Sequence, residues 1–380
     1  MKISKSELKF VFILLPFFKL TGFTEIGFIS KIFDVLLAVS IANIFLNIIK
    51  IKYRPSRFSK INMLLQLYLF VNTCIQGGFS TSLIRNTVAL IFVVIHVEMC
   101  LWKNEEIVWN GILKLFSFYS ILNVACGKGI IFHEYLFGPR TNITTLSYPM
   151  IMITLLLVYC RKINIKRIIS AVLVSCIILP NMFFMLRESV STAIVGIMVT
   201  VGFIVMAKYS AINRIKSYVW VIGLTLYNFV IVTVQSFDYM SLLFGMLGES
   251  MTMTGRLAIW TNTIAAFMEK PIFGYGFRMK MIARGAYATA TTYVHNNFLQ
   301  FCIDGGLIAL LLFILLLVFA VSPIDNLKSR SNKAIVAILI GFEIAMISEV
   351  LTSYSYFYVF LAIANYLAIK DMVLDDGANE

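Results

Sequence analysis

The chain has 380 residues, of which 60% are hydrophobic and 13% charged, and its mean hydropathy is +0.88. Soluble domains average about a quarter charged residues, so this composition excludes an ordinary soluble fold. The net charge of +13 would suggest a nucleic-acid partner for a soluble protein. In a membrane protein it is explained by basic cytoplasmic loops, and we therefore expect no nucleic-acid partner.

The apolar residues cluster into runs that can cross a hydrocarbon core about 30 Å thick as helices. The sequence therefore predicts an all-α fold, a single polytopic membrane domain over 1–380 with about twelve transmembrane helices. The first predicted span is the weakest, because Lys19 and Gly22 interrupt it. In chain order the predicted spans are 10–24, 32–49, 61–79, 86–102, 107–126, 146–160, 168–186, 190–207, 218–235, 305–322, 334–352 and 356–370.

Basic residues in the short loops predict the orientation. They fill the second, sixth, eighth and tenth loops, which all lie on the same side as the N-terminus. Both termini are then cytoplasmic, and the long loop 236–304 between spans nine and ten is extracytoplasmic. The residues concerned are Lys50, Lys52, Arg54, Arg57, Lys60, Arg161, Lys162, Lys166, Arg167, Lys208, Arg214, Lys216, Lys328, Arg330 and Lys333.

Ionisable residues within spans are energetically costly and often functional. Each one here also has a structural explanation as an interhelical partner or as a group near a helix end. They are Asp34, His96, Glu98, Glu343 and Glu349.

The short turn between spans seven and eight predicts an anion site. Arg187 precedes Ser189, Ser191 and Thr192, which are good helix-capping residues. A helix N-terminus favours an anion such as phosphate, and an adjacent arginine strengthens such a site. The alternative is that Arg187 pairs with Glu188 or reaches the lipid head groups. Arg140, after a Gly-Pro turn, could line the same region or lie on an ordinary solvated loop.

The long outer loop contains the most polar part of the chain. Its first part, 237–254, is amphipathic and predicts a segment resting on the membrane surface. From Arg256 the apolar residues recur at three-to-four spacing, which predicts a helix that ends at Pro271. Arg256 then lies in the first turn, where the helix dipole disfavours a cation, and this suggests an anionic partner. Gly274 and Gly276 follow and allow the backbone to approach a ligand closely.

The end of this loop leads into the tenth span through a histidine. The segment 278–290 is small and polar, and we expect it to be mobile. Its cations Arg278, Lys280 and Arg284 are interpreted as steering charges or solvated groups. A lone histidine is more often structural, but His295 lies among basic groups on the outer side, which favours acid–base catalysis.

The order and spacing of these residues resemble the signature of the O-antigen ligase and polysaccharide polymerase family, the Wzy/WaaL-type membrane glycosyltransferases. The similarity covers about fifty residues closely, and each motif alone is weak. Two weaker similarities lie at 189–193 and at 138–142. The matching elements are Gly255-Arg256, Trp260, Pro271 with Gly274 and Gly276, His295-Asn296, Phe298-Leu299 and Gly305-Gly306.

The resemblance implies a GT-C-like helical enzyme in a bacterial cytoplasmic membrane. It implies that a glycan on undecaprenyl diphosphate is transferred to an acceptor hydroxyl at the outer leaflet. Arg256 and Arg187 would clamp the diphosphate, and His295 would be the base. Other partners would be membrane lipid, a chain-length regulator and a flippase. Predicted substrate-binding residues, besides Arg187, are Arg140, Gly274, Gly276 and Asn296.

Three functions fit this pattern. The Lys/Ile/Asn-rich composition favours a polymerase of capsule, exopolysaccharide or O-antigen, and a ligase acting on the lipid A core is the alternative. A flippase is disfavoured because the two halves are not repeats and the polar groups lie towards the outer face. No Asp-x-Asp motif lies on an outer loop, and the six cysteines form no CxxC pair. We therefore expect a metal-independent, inverting reaction without a cofactor.

Overall fold

The computed structural model describes residues 4–129, 131–234, 256–282 and 291–376. Over these ranges the chain is helical, with two isolated β-bridges and no strand. Two 3₁₀ segments, Leu15–Phe18 and Leu351–Ser353, interrupt the helices. The α-helices are α1 (Lys5–Leu14), α2 (Gly22–Glu25), α3 (Gly27–Ile51), α4 (Arg57–Ile75), α5 (Thr81–Lys103), α6 (Glu105–Cys126), α7 (Arg140–Tyr159), α8 (Ile168–Arg187), α9 (Ser191–Met206), α10 (Ser210–Asn213), α11 (Ser217–Val234), α12 (Arg256–Glu269), α13 (Asn297–Val321), α14 (Arg330–Ala345) and α15 (Ser355–Asp376).

Seven helices in the described ranges are long and apolar enough to cross a membrane: α3, α5, α6, α7, α8, α13 and the Ser355–Val373 part of α15. This supports a multi-pass membrane protein. Seven is fewer than the twelve predicted spans, because some predicted spans form shorter or more polar helices. The apolar helices α9 and α11 are short, α14 has 16 residues, and α4 buries polar side chains such as Asn62 and Gln66.

The prediction of one helix over 10–24 is wrong. α1 ends at Leu14, and Pro16 lies in a 3₁₀ turn. The chain then turns again at Gly22, whose N–H donates to the Leu136 carbonyl at 2.9 Å. A Cβ on Gly22 would lie 3.0 Å from that oxygen, so this contact requires a glycine.

The two ends of the helix bundle differ in character. At one end, the predicted cytoplasmic loops contact each other: Lys370 Nζ lies 2.9 Å from a Glu105 carboxylate oxygen, and the Leu327 N–H donates to the Asn213 carbonyl at 3.0 Å. We call this the basic end. The opposite end, here called the site end, joins the C-termini of α4, α8 and α14 to the N-termini of α9, α12, α13 and α15.

Most ionisable residues in the spans have structural partners. The Glu98 carboxylate accepts hydrogen bonds from the backbone N–H of Ser56 at 3.0 Å and from the Ser59 hydroxyl. His96 stacks on Phe10, with ring centroids 5.3 Å apart. These partners support the structural explanation for these two groups, whereas Glu349 lies at the site end.

A small second hydrophobic cluster supports the site end. Trp260 of α12 is buried there with Leu299 and Ile303 of α13 and with Ile347. Its indole N–H donates to the Val294 carbonyl at 3.2 Å. Burying a tryptophan in such a cluster contributes about 3–5 kcal/mol. The cluster therefore fixes α12 against the segment that carries His295.

Candidate functional site

Arg256 lies in the first turn of α12, as predicted, and it has an anionic partner within the chain. Its Nη2 atom lies 2.8 Å from Glu349 Oε1. The Arg256 side chain is 16% exposed and that of Glu349 only 3%. The carboxylate therefore compensates a cation that the helix dipole disfavours, and it holds the guanidinium in one place. Glu349 was one of several charged span residues in the sequence, and only the structure connects it to Arg256.

His295 occupies a turn just before α13. It has a φ of 56°, in the left-handed region that β-carbon sterics disfavour. Its Nδ1 atom lies 3.9 Å from Glu349 Oε2, and within the described residues this nitrogen has no hydrogen-bond partner. Its ring packs edge-on against Tyr293 with centroids 4.6 Å apart. A strained backbone that presents an incompletely bonded imidazole is typical of a functional site.

Tyr293 completes the surroundings of Glu349. Its hydroxyl lies 3.4 Å from Glu349 Oε2 and accepts a hydrogen bond from the Val350 N–H at 3.1 Å. Burial, and then the Glu349 charge, raises the pKa of Tyr293 above its ordinary value. The phenol therefore stays protonated and donates towards the carboxylate. Arg256, Glu349, His295 and Tyr293 form one group, which we call the Glu349 cluster.

The turn before α9 lies next to this cluster. The Thr192 hydroxyl is 2.8 Å from that of Ser348, the residue before Glu349. Arg140 donates to the Ser189 carbonyl, so the two loops predicted to contribute anion ligands meet here. The predicted capping by Ser or Thr is wrong, because the N-cap residue of α9 is Val190.

Arg187 lies at the C-terminal end of α8 with an exposed side chain. Its guanidinium is 6.0 Å from the centroid of the Phe183 ring. Glu188, the predicted alternative partner of Arg187, instead accepts a hydrogen bond from the Tyr135 hydroxyl at 2.9 Å. The role of Arg187 as a phosphate ligand stays a prediction.

The glycine turn packs against protein backbone. A Cβ on Gly274 would lie 2.6 Å from the Ile303 carbonyl oxygen, and one on Gly276 would lie 3.2 Å from the Thr73 Cα. The N–H groups of Tyr275 and Gly276 donate to the Ile303 and Asp304 carbonyls, each at 2.9 Å. Both glycines therefore permit a close approach to α13 and α4, and their role as ligand-contacting residues stays a prediction.

Asn296 also has a positioning role. Its side chain is buried, donates to Asn228 at 2.9 Å and to the Ile347 carbonyl at 3.0 Å, and accepts from the Leu299 N–H at 2.9 Å. These bonds cap α13 and fix the turn that carries His295. Asn296 therefore has a supporting role, and its predicted substrate contact stays a prediction.

Two further residues are functional candidates. The sequence interpretation treated Arg278 as a steering or solvated cation, and it assigned no role to Asp304. Arg278 has a φ of 55°, and its backbone N–H donates to Asp304 Oδ1 at 2.9 Å. Its guanidinium donates to the Ser353 hydroxyl at 2.7 Å and lies 5.7 Å from the Tyr293 ring centroid. Arg278 is thus an ordered neighbour of the Glu349 cluster. The sequence feature that could have identified Asp304 is a carboxylate next to Gly305, at the start of an apolar predicted span.

Three predictions lie outside the described residues. They concern the segment 237–254, which was expected to rest on the membrane surface, Arg284, and residues 283–290 of the segment 278–290, which was expected to be mobile. Lys280, in contrast, is described and lies 3.6 Å from Glu269 Oε2. Among the described residues, no group of three His, Cys, Asp or Glu side chains could hold a metal ion.

Comparisons with known proteins give three findings. Residues 182–314 match the profile of the Wzy_C family, described as O-antigen ligase. The chain is 24% identical over 292 residues to the ComP-specific O-oligosaccharyltransferase of Acinetobacter baylyi, which covers 73% of this chain and 50% of that protein. It is 32% identical over 91 residues to a Rickettsia conorii protein named as a polysaccharide ligase, covering 21% of this chain and 22% of that protein.

These matches show a similarity to the O-antigen ligase family that is limited, for the family profile, to residues 182–314. The chain spans about half the length of the first relative and less of the second. The matched family segment contains Arg187, Arg256 and His295 but ends before Glu349. Both relatives have transferase or ligase names, and neither is named as a polymerase.

Proposed function

We propose that the protein is a membrane glycosyltransferase that moves a glycan from a lipid-diphosphate carrier to an acceptor hydroxyl, acting as a ligase. The observation that carries the proposal is the Glu349 cluster. It places an arginine and an incompletely bonded histidine on the same buried carboxylate, beside the turn before α9. A cation for a diphosphate leaving group and a base for a hydroxyl are what such a transfer needs.

In the proposed reaction the acceptor oxygen attacks the anomeric carbon of the donor glycan. The new carbon–oxygen bond forms as the bond from that carbon to the diphosphate oxygen breaks, with inversion. The hydroxyl proton passes to His295, and the carrier leaves as a diphosphate. The Glu349 carboxylate, 3.9 Å from His295 Nδ1, is placed to stabilise the imidazolium that results.

In the same proposal Arg256 binds the diphosphate without leaving Glu349. A guanidinium has five N–H donors in a planar fork. The bond to Glu349 Oε1 uses a donor on Nη2, and other donors can bind phosphate oxygens. Arg187 and Arg140 then add positive charge around the leaving group. The reaction has no step that requires a metal ion, and the site end faces the outer leaflet, where undecaprenyl-diphosphate-linked glycans would be the donors.

The test uses His295→Ala and His295→Asn in cells and in purified enzyme. Asparagine tolerates a positive φ, so His295→Asn keeps the backbone while removing the base. We expect both variants to lose transfer by at least about 100-fold, with lipid-linked glycan accumulating and the protein still inserted. His133→Ala is the matched control, because the His133 side chain is exposed. The backbone N–H of His133, which the substitution keeps, donates a hydrogen bond to Glu25.

The products distinguish the remaining functions. A ligase defect leaves lipid-linked polymer that is not attached to its acceptor, whereas a polymerase defect leaves single repeat units. A flippase would keep full transport in both His295 variants. Wild-type transfer rates in His295→Asn would overturn the proposal.

A further inference from the structure

A cavity of about 310 Å³ with a mixed polar and apolar lining lies beside the Glu349 cluster. It is formed by the segment before α3, by α3, α4 and α5, and by the starts of α13 and α15. Small-molecule sites have volumes of roughly 300–1,000 Å³, so the cavity is at the lower end of that range. Arg278 and Val350 line it, whereas Arg256 and His295 do not. The cavity is therefore distinct from the Glu349 cluster, and Arg278 lies between the two.

Two of the three cations that line the cavity, Lys19 and Arg85, are paired with one carboxylate. Lys19 Nζ and Arg85 Nη1 each lie 3.1 Å from the same atom, Asp34 Oδ1. Asp304 Oδ1 accepts from the Arg278 backbone N–H and from Gln300 Nε2, at 2.9 and 3.0 Å. A diphosphate bound at Lys19 and Arg85 would have to displace Asp34 from both of these cations. A neutral ligand with several hydroxyl groups can instead donate to the carboxylates and accept from the cations without disrupting these pairs.

The rest of the lining also suits a sugar ring. Phe277, Phe301 and Tyr354 contribute aromatic surface, and Asn86 and Ser355 contribute polar groups. A sugar has apolar C–H faces and a polar rim. An amphipathic lining of this kind buries both parts without leaving either unsatisfied.

Arg278 connects the cavity to the reacting groups. Its Nε atom is buried and has no hydrogen-bond partner within the described residues. Its guanidinium lies 5.7 Å from the centroid of the Tyr293 ring, and the Tyr293 hydroxyl is 3.4 Å from Glu349. A ring held in the cavity would therefore have one edge towards Arg278 and the Glu349 cluster.

We infer that this cavity is the acceptor subsite and that it takes a sugar ring of the acceptor glycan. The inference rests on the proposed function, and it places the acceptor and the donor diphosphate on opposite sides of Arg278. Arg278 then orients the acceptor hydroxyl towards His295, while Lys19, Asp34 and Arg85 bind the far side of the ring.

The test measures initial rates of the purified full-length chain against each substrate separately. The donor is an undecaprenyl-diphosphate-linked glycan. The acceptor probe is the soluble core oligosaccharide released from the lipid A of the bacterium that produces this protein. Asn86→Phe fills the cavity, and Arg85→Ala removes a half-exposed cation at low structural cost. Lys128→Ala is the control, since Lys128 has a similar exposed pair with Glu134 at 3.1 Å outside the cavity.

We expect both cavity variants to raise the acceptor KM at least about tenfold, which corresponds to the loss of one charged hydrogen bond, and to leave the donor KM within about threefold. The control should change neither. The inference would be overturned by equal effects on both KM values, by an effect on the donor KM alone, or by no effect. Transfer by the wild type would still uphold the proposed function in each of these cases.

Direct binding of the same oligosaccharide separates the two proposals. Saturation-transfer NMR on the wild type and on Asn86→Phe reports binding without turnover. If the wild type binds the sugar but transfers no glycan, and Asn86→Phe abolishes binding, the carbohydrate subsite stands while the transferase proposal falls. If the wild type does not bind the oligosaccharide, the subsite inference falls.

Discussion

The ion pair between Arg256 and Glu349 gives a quantitative prediction. Two unit charges about 4 Å apart attract by about 4 kcal/mol at the effective dielectric constant near 20 that suits protein sites. Removing one partner of a buried pair costs about 3–5 kcal/mol, because the other charge stays buried. The Arg256 side chain keeps 16% of its surface exposed, so water compensates part of this cost. We therefore expect Glu349→Ala to destabilise the protein by about 3 kcal/mol.

A double-mutant cycle tests this value. Unfolding free energies of the wild type, Arg256→Ala, Glu349→Ala and the double variant are measured by denaturant titration in mixed detergent micelles. The double variant has no unpaired charge, so we expect a coupling energy of about 2–3 kcal/mol. The matched control is the pair of Lys280 and Glu269, 3.6 Å apart with side chains 33% and 64% exposed. Because solvent screens this pair, its coupling energy should be much smaller than that of Arg256 and Glu349. Additivity within about 0.5 kcal/mol at Arg256 and Glu349 would refute the pairing.

Three further outcomes are expected. Gly274→Ala should prevent stable folding, because the added Cβ would lie 2.6 Å from the Ile303 carbonyl oxygen at a φ of +64°. Gly129→Ala, at a φ of +73° with nothing within 4 Å, should cost only about 1 kcal/mol; equal yields of the two variants in a size-exclusion assay would contradict this. Transfer should persist in EDTA and gain nothing from added magnesium. A reporter inserted near Thr291 should be extracytoplasmic, and a cytoplasmic signal would reverse the proposed orientation.

Hydrophobic pattern was enough to find most of the helices. The runs at 107–126 and 168–186 nearly coincide with α6 and α8, because their ends are marked by charged residues. The run at 10–24 failed because the pattern cannot show that Gly22 packs on the Leu136 carbonyl. Apolarity alone likewise made α14 seem long enough to span, whereas the chain leaves the helix after Ala345.

The chemistry of the site was only partly accessible from the sequence. Arg256 in a first helical turn indicated an anionic partner, but the pattern could not identify it, since Glu349 lies 93 residues further along the chain. Residue types alone also did not show which contacts a side chain makes. Glycines and an asparagine next to a functional residue suggested ligand contacts, whereas Gly274, Gly276 and Asn296 contact protein backbone. A residue that contacts a ligand and a residue that only supports such a residue can have the same type and the same position in the sequence, so the sequence does not distinguish them.

The supporting contacts explain why the motif elements occur in a fixed order. The glycine turn forms backbone hydrogen bonds to α13 at Ile303 and Asp304, and the Asp304 side chain then holds Arg278 in a left-handed conformation. Asn296, about two helical turns before this contact, fixes His295 in the same kind of conformation. Each strained residue costs about 1–3 kcal/mol and persists only because its neighbours over-determine it. The first turns of α13 thus place one cation and one imidazole against the Tyr293 ring. This arrangement requires the glycines and the His-Asn pair at their observed spacing.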